Sequence, residues 1–352
     1  MGNLYTEQSL ATQTAYAQLL DAALGAERVR GFADLQGSFN AKTVKGRTYW
    51  YFQFTEPSGK LHQIYVGPDG EPVQRLIAQK DAPSAAAALG PLARSAIALG
   101  CAAVLPRHYR VIRRLADYGF FRAGGVLIGT HAFLAFGNSL GVYWGDVSRT
   151  LDIDFAHAGK RVALLLPGNV EVKTDEAIIS LEMGFLPVSG LSGKTGGSYL
   201  IPSEPEFRLD FLTPLYRGGA APYKHPQLHV TLQPLPFMEF SLENVEQAVL
   251  FCREGAVLVN VPSPERYALH KLVVYGERTS AFRSKSAKDL VQCACLLDFL
   301  WDHRRESLEE ALADMLTRGK GWRARLKQGA AALYKSQPNV AAGFRLVEAT
   351  AG

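Results

Sequence analysis

The sequence predicts an α+β fold. A β-sheet core is flanked by helices, with an N-terminal helix and β-hairpin ahead of it and a helical region behind. Three observations carry this expectation. Leu151, Asp152, Ile153, Asp154 and Phe155 alternate apolar and acidic residues, the period-2 pattern of a strand with one buried face. Val126, Leu127 and Ile128 form a short apolar run, followed by Gly129, Thr130 and an Ala-, Leu- and Phe-rich stretch. That order reads as strand, tight turn and helix. Residues 264–275 and 287–304 carry apolar residues at helical period.

Taken in order, residues 6–24 read as a helix. Residues 43–66 alternate aromatic and polar residues, with turn chemistry at 57–59 and 67–70, and read as a β-hairpin or small meander. Tyr49, Trp50, Tyr51, Phe52, Phe54 and Tyr65 are too many aromatics for one buried face. They form either a nucleic-acid stacking surface, aided by Lys42, Lys45 and Arg47, or a hairpin packed against the main body. Residues 82–105 are Ala-rich and broken by Pro91 and Arg94, a soluble helical stretch rather than a membrane span. Residues 106–118 read as a helix whose basic face carries Arg107, Arg110, Arg113 and Arg114. Gly193, Lys194 and Thr195 suggest a phosphate-binding P-loop, but that motif needs a glycine where Val188 stands, and 198–201 reads as a strand. A Gly-rich hairpin loop fits better, from which Lys194 could touch a substrate. Residues 207–212 read as an apolar strand with Asp210 in its middle. In the tail, Lys320, Arg323, Arg325, Lys327 and Lys335 form either a solvated basic face or an RNA-contacting surface. The chain length suits two or three units. We divide it into an N-terminal region at 1–105, a core at 106–245 and a C-terminal helical region at 246–352.

The chemistry concentrates in the core. In a strand, Asp152 and Asp154 share a face, with Leu151, Ile153 and Phe155 on the other. Neighbouring carboxylates repel unless a cation lies between them, and a hard divalent ion such as Mg²⁺ takes oxygen ligands. The alternative is a strand face that is merely polar. The helix opened by Gly129 and Thr130 presents free backbone N–H groups and a positive dipole end, which suits phosphate. Thr130 could equally be an ordinary cap. Asp210, among Leu and Phe, is costly if buried alone. It is either a third metal ligand or half of a salt bridge. Lys271 suits the outer phosphates of a nucleotide as a point charge, or is simply exposed. His131 lines the phosphate pocket, fills the core or caps a helix.

Composition sets the frame. Hydrophobic residues make up 47% and charged residues 20%, ordinary for a soluble globular protein. The net charge of +5 is compatible with a phosphate-bearing partner without requiring one. Cys101, Cys252, Cys293 and Cys295 lack metal-site spacing and read as reduced thiols. The polar N-terminus does not read as a signal peptide. A cytoplasmic location is the expectation.

The Gly129-Thr130 helix start, the Asp152/Asp154 strand and the Asp210 strand, in that order, resemble the pattern of DNA polymerase β-like nucleotidyltransferases. Thr130 and Asp152 stand 22 residues apart, more than in the most compact members, so an extended helix or loop around 137–147 fills the gap. Glu265 with Lys271, Glu277 with Arg278, and Lys288 with Asp289 resemble the C-terminal motifs of toxin-type members, the abortive-infection E-like proteins and their mycobacterial relatives. The runs 37–42 and 49–53 resemble a bacterial family of uncharacterised nucleotidyltransferases. One departure is Gln292, where the toxin-type motif often has a further acid.

The resemblance implies a mixed β-sheet core and transfer of NMP from an NTP to an acceptor hydroxyl, an EC 2.7.7-type reaction. It implies two Mg²⁺ (or Mn²⁺) ions held by Asp152, Asp154 and Asp210. Gly129 and Thr130 would hold the triphosphate, with Lys271, Arg278 and Lys288 adding positive charge. An RNA acceptor such as a tRNA 3′ end is favoured, with a protein acceptor as the other option. Toxin–antitoxin or phage-defence roles, with an antitoxin partner, belong to the same group. A non-catalytic NTP- or RNA-binding module of this fold, or a metal-dependent nuclease, is the alternative. All three acids and the Gly-Thr turn weigh against the module, and the turn weighs against the nuclease.

Overall fold

In a computed structural model of the 352-residue chain, the residues described are 4–28, 37–55, 61–81, 85–145, 150–158, 171–189, 195–215, 219, 221–277, 283–338, 340 and 344–345. The chain opens with β1 (Thr6–Glu7) and α1 (Leu10–Arg28), then β2 (Ser38–Val44), β3 (Arg47–Thr55), β4 (Leu61–Pro68), α2 (Glu71–Asp81) and α3 (Leu89–Ala98). The middle holds α4 (Pro106–Asp117), β5 (Gly125–Ile128), α5 (Gly129–Ser139), β6 (Val142–Tyr143), β7 (Ile153–His157) and α6 (Thr174–Ile179). It continues through β8 (Leu186–Ser189), β9 (Thr195–Ile201), β10 (Glu204–Pro214), β11 (Tyr223–His225), β12 (Val230–Leu235) and α7 (Met238–Leu242). The last third holds β13 (Val245–Cys252), β14 (Gly255–Pro262), α8 (Pro264–Glu277), α9 (Arg283–His303), α10 (Arg305–Thr317) and α11 (Lys320–Ser336).

The fold is α+β around a mixed sheet. Its path runs β11-β12-β10-β7-β5, with β9 on β10 and β8 on β9. β10 lies parallel to both β7 and β12, while β5 runs antiparallel to β7 and β9 antiparallel to β10. Ile153, Phe155, Leu209 and Phe211 are fully buried. Phe155 and Phe211 stack at 5.2 Å between ring centroids. Because side chains alternate along a strand, burying these four turns Asp154 and Asp210 to the opposite face.

Three expectations change. The Asp-x-Asp strand begins two residues later than its pattern suggests. Asp152 precedes β7, and Leu151, expected in the core, is 46% exposed. The reason is local: β5 pairs Ile128 with Asp154 and then turns into α5, so no ladder partner continues on that side. The Thr150 hydroxyl instead donates to the Asp152 carboxylate, a short-range bond that competes with strand pairing. The expected helix at 6–24 is α1 starting at Leu10, while Thr6 and Glu7 pair with β6. The region after 245, read as mostly helical, opens with the hairpin β13–β14.

This hairpin forms one small core with α1 and α3, through residues such as Tyr16, Leu19, Ala93 and Phe251. The larger core runs without interruption from α4 through the sheet into α8–α11. The C-terminal helices join this core, and α8 and α9 also line a cavity with Asp154 on the acid-bearing side. β2, β3 and β4 pair as a three-stranded antiparallel meander, the second of the two forms read from the sequence.

Candidate active site

The Asp154 and Asp210 Cα positions are directly paired across parallel strands, a spacing of about 4.8 Å in any sheet. Gly129 completes the arrangement. Its φ of +63° is a left-handed conformation that glycine adopts without penalty. A Cβ there would collide with the Asp154 carboxylate. The start of α5 is therefore pressed onto Asp154, and only glycine permits that approach. The first backbone N–H groups of any helix have no intrahelical acceptor, and no side chain caps this helix start.

Two hydroxyls orient the flanking acids. Thr150 donates to Asp152, and Ser198, opposite Asp210 on β9, donates to Asp210 Oδ1 at 2.5 Å. The donor set consists of hard carboxylate oxygens, which fits Mg²⁺ or Mn²⁺ in chemical type. Among the described residues, no group of three or more His, Cys, Asp or Glu side chains is gathered closely enough to hold a metal as it stands.

The C-terminal helices approach from the other side. Lys271 on α8 forms a buried ion pair with Asp289 on α9 and lies 5.0 Å from the Tyr267 ring centroid. Burial pulls the Lys271 ammonium down, but Asp289 and then Tyr267 outweigh it and hold the pKa above the usual lysine range. The solvent-exposed reading of Lys271 is thereby corrected: it is an interior cation with a fixed counter-ion. Lys288 is half-buried. Burial holds its pKa below the usual range, with Asp152 opposing and Lys271 reinforcing that shift. Arg278 and Lys194 lie outside the described residues.

Tyr267 and Gln292 join these helices to the Gly-Thr turn. The Tyr267 hydroxyl lies 2.9 Å from the Gly129 carbonyl and 3.1 Å from Gln292 Oε1, two acceptors for its one proton. Burial raises its pKa above the usual range, so it stays a donor. Gln292 Nε2 donates to Thr130 Oγ1 at 3.3 Å, and the Gln292 side chain is fully buried. An acid at this position would bring a second carboxylate beside Asp289 in the same interior; a neutral amide serves both partners instead. A cavity of about 130 Å³ opens between Gly129, Asp154, Lys271, Asp289, His270 and Tyr267.

On the other side of α5 lies a larger cavity of about 780 Å³, walled by Leu105, His108, His131, Trp144, Thr150 and Leu151 among others. His131 is buried here and bonded to His108 at 3.0 Å between ring nitrogens. It does not line the Lys271 cavity. Burial holds both rings neutral, pushing His108 down to about 4 and His131 to about 3, with Asp152 partly opposing. Arg107 on the basic helix α4 is engaged with Glu204 and stacks over Phe207. In the basic tail, Arg325 pairs with Glu277 and Arg323 donates to the Leu316 carbonyl, so part of that charge is already used within the fold.

The sequence pointed to the acids, the Gly-Thr turn and Lys271. It missed Tyr267, Ser198 and the His108–His131 pair. Gln292 was visible only as a departure from a motif, and its polarity within an apolar helix was the available signal.

A model of the nucleotidyltransferase family matches residues 107–317, more than half of the chain and all of the site just described. The chain belongs to that family. Among solved structures, it is similar to an antigenic nucleotidyltransferase-like protein from Paracoccidioides brasiliensis, at 15% identity over 64% of this chain and 95% of that one. The TM-score of 0.29 is too low for that likeness to bear on the site. No curated protein matches.

Proposed function

We propose that this chain moves NMP from an NTP to an acceptor hydroxyl, with RNA the favoured acceptor. The observation that carries this is the register pairing of Asp154 with Asp210, with the Gly129 turn pressed onto Asp154. Asp152, Asp154 and Asp210 would hold two Mg²⁺ ions. When bound, these supply charge neutralisation at the triphosphate and lower the pKa of the attacking hydroxyl. Asp210 accepts the proton that leaves the acceptor hydroxyl. Gly129 and Thr130 hold the triphosphate through the open N–H groups of α5. Lys271 and Lys288 contribute positive charge from α8 and α9, as does Arg278. Tyr267 and Gln292 keep the turn in place. Catalysis by these residues is positioning and electrostatics rather than covalent chemistry.

The test is incubation with each α-labelled NTP, Mg²⁺ and either total RNA or protein lysate, beside Asp152→Ala and Asp210→Ala. Label on RNA that disappears in both variants supports the proposal. Label on protein moves the acceptor. NTP binding without transfer supports a non-catalytic module, and RNA shortening without NTP supports a nuclease.

A further inference from the structure

We propose that the solvent-facing side of the β2–β4 meander binds single-stranded RNA, with Tyr49, Tyr51 and Tyr65 stacking on bases and Lys42, Lys45 and Arg47 meeting phosphates. The proposal rests on the transferase reading only in treating the bound RNA as the acceptor.

The meander has two unlike faces. Opposite residues in neighbouring strands point the same way, so the pairings assign each side chain a face. Phe39 pairs with Phe52, Ala41 with Trp50, and Trp50 with Gly67. This face is the structural one. Phe52 is buried, and Gly67 meets Val73 of α2, which is itself buried. The Trp50 indole N–H donates to Asp69, which Gln74 of α2 also holds.

The other face carries Tyr49, Tyr51 and Tyr65. Tyr51 pairs with Tyr65, and Lys42 with Tyr49. Ring centroids lie 5.6 Å apart for Tyr51 and Tyr65, and 6.3 Å apart for Tyr49 and Tyr65. Tyr65 is 54% exposed. The Lys42 ammonium lies 4.7 Å from the Tyr51 ring centroid and bonds Gln63. A side-chain ladder of Asn40 to Gln53 and Gln63 to Gln53 fixes the surface around the rings. Among the described residues, α2 is the meander's principal neighbour.

Charge selects the occupant. The described residues of the three strands and the β2–β3 turn carry Lys42, Lys45 and Arg47 and no Asp or Glu. A cationic surface with one exposed ring, Tyr65, beside the half-buried rings of Tyr49 and Tyr51 suits phosphates alternating with flat bases. Stacking needs unpaired bases, which favours a single strand over a duplex.

The test uses the full chain with a fluorescein-labelled 12-nucleotide RNA and fluorescence anisotropy, without NTP or Mg²⁺. Tyr65→Ala is expected to weaken binding about five- to hundredfold, the span for one lost stacking partner, while Tyr65→Phe binds as the wild type does. Three phosphate contacts give a slope of log affinity against log salt of about −2. The triple variant Lys42→Ala/Lys45→Ala/Arg47→Ala is expected to flatten that slope. Unchanged affinity in both variants, no RNA binding by the wild type at low salt, or tighter binding of a duplex of equal length would each overturn the proposal. Asp154→Asn separates the two readings, since it is expected to retain RNA affinity while losing transfer. Transfer by Tyr65→Ala that recovers at RNA concentrations above its weakened Kd would tie this surface to the acceptor.

Discussion

Gly129→Ala is the sharpest perturbation of the site, because the structure separates its two effects. The first is backbone strain: a φ of +63° costs a residue with a Cβ about 1–2 kcal/mol. The second is collision, since the new Cβ would meet the Asp154 carboxylate and force it aside. Gly184 supplies the control, with a φ of +79° and nothing within 4 Å of a Cβ. Gly184→Ala should therefore lose a similar 1–2 kcal/mol from strain alone, about 1–3 °C in melting temperature for a chain of this size, with transfer unchanged. Gly129→Ala should lose at least as much stability. Displacing one reacting carboxylate by about 1 Å should also cut the rate by roughly 100-fold. The assay pairs thermal melts with pyrophosphate release from NTP. Gly129→Ala transfer within a few-fold of wild type, at a melting temperature matching Gly184→Ala, would refute the placement of Asp154 beneath the turn.

Three further outcomes follow from the interior of the site. Gln292→Ala removes the amide that donates to the buried Thr130 hydroxyl and one of the two acceptors of the Tyr267 hydroxyl, which keeps the Gly129 carbonyl, and should cost about 1–3 kcal/mol in denaturant unfolding; a loss below 0.5 kcal/mol would contradict the network. Asp289→Ala strands the Lys271 ammonium and should cost about 3–5 kcal/mol at pH 7. With Asp289 gone, burial, the largest influence on Lys271, is opposed by Tyr267 alone, and the folded pKa is expected to fall below the ordinary 10.5. The unfolded chain then holds the proton more tightly, so the variant's deficit should shrink as pH rises towards 10 and melts should show it. For His108 and His131 the folded values lie below the ordinary 6.5, so their neutral burial stabilises fully above pH 6.5 and is lost as pH falls towards 4 and 3. A double His108→Phe/His131→Phe variant should lose less stability between pH 6.5 and 4 than the wild type.

Much of this site was legible because its chemistry is written in local patterns. The alternation around Ile153 and Phe155 fixed which face is buried, and with it the face of Asp154. Asp210 stood out as a lone acid in an apolar strand. Their pairing in register is a tertiary fact that neither segment states. The limits were physical too. Whether Leu151 joins the strand depends on a partner, and β5 ends at Ile128, so period-2 alternation over-extended the strand by two residues. Lys271 was legible as a cation near the core, but its burial depends on Asp289 across a helix–helix contact. The β13–β14 hairpin was hidden because Val, Leu and Ala in a continuous apolar run do not distinguish a buried strand from a buried helix.

The most direct measurement is transfer of α-labelled nucleotide from NTP, with Mg²⁺, by wild type, Asp154→Asn and Asp210→Asn, each first shown by its melt to be folded. Paired function of the two acids requires each single variant to lose transfer by at least 100-fold while NTP binding persists, and the double variant to be little worse than either alone. Transfer by folded Asp210→Asn at close to the wild-type rate would contradict the shared site.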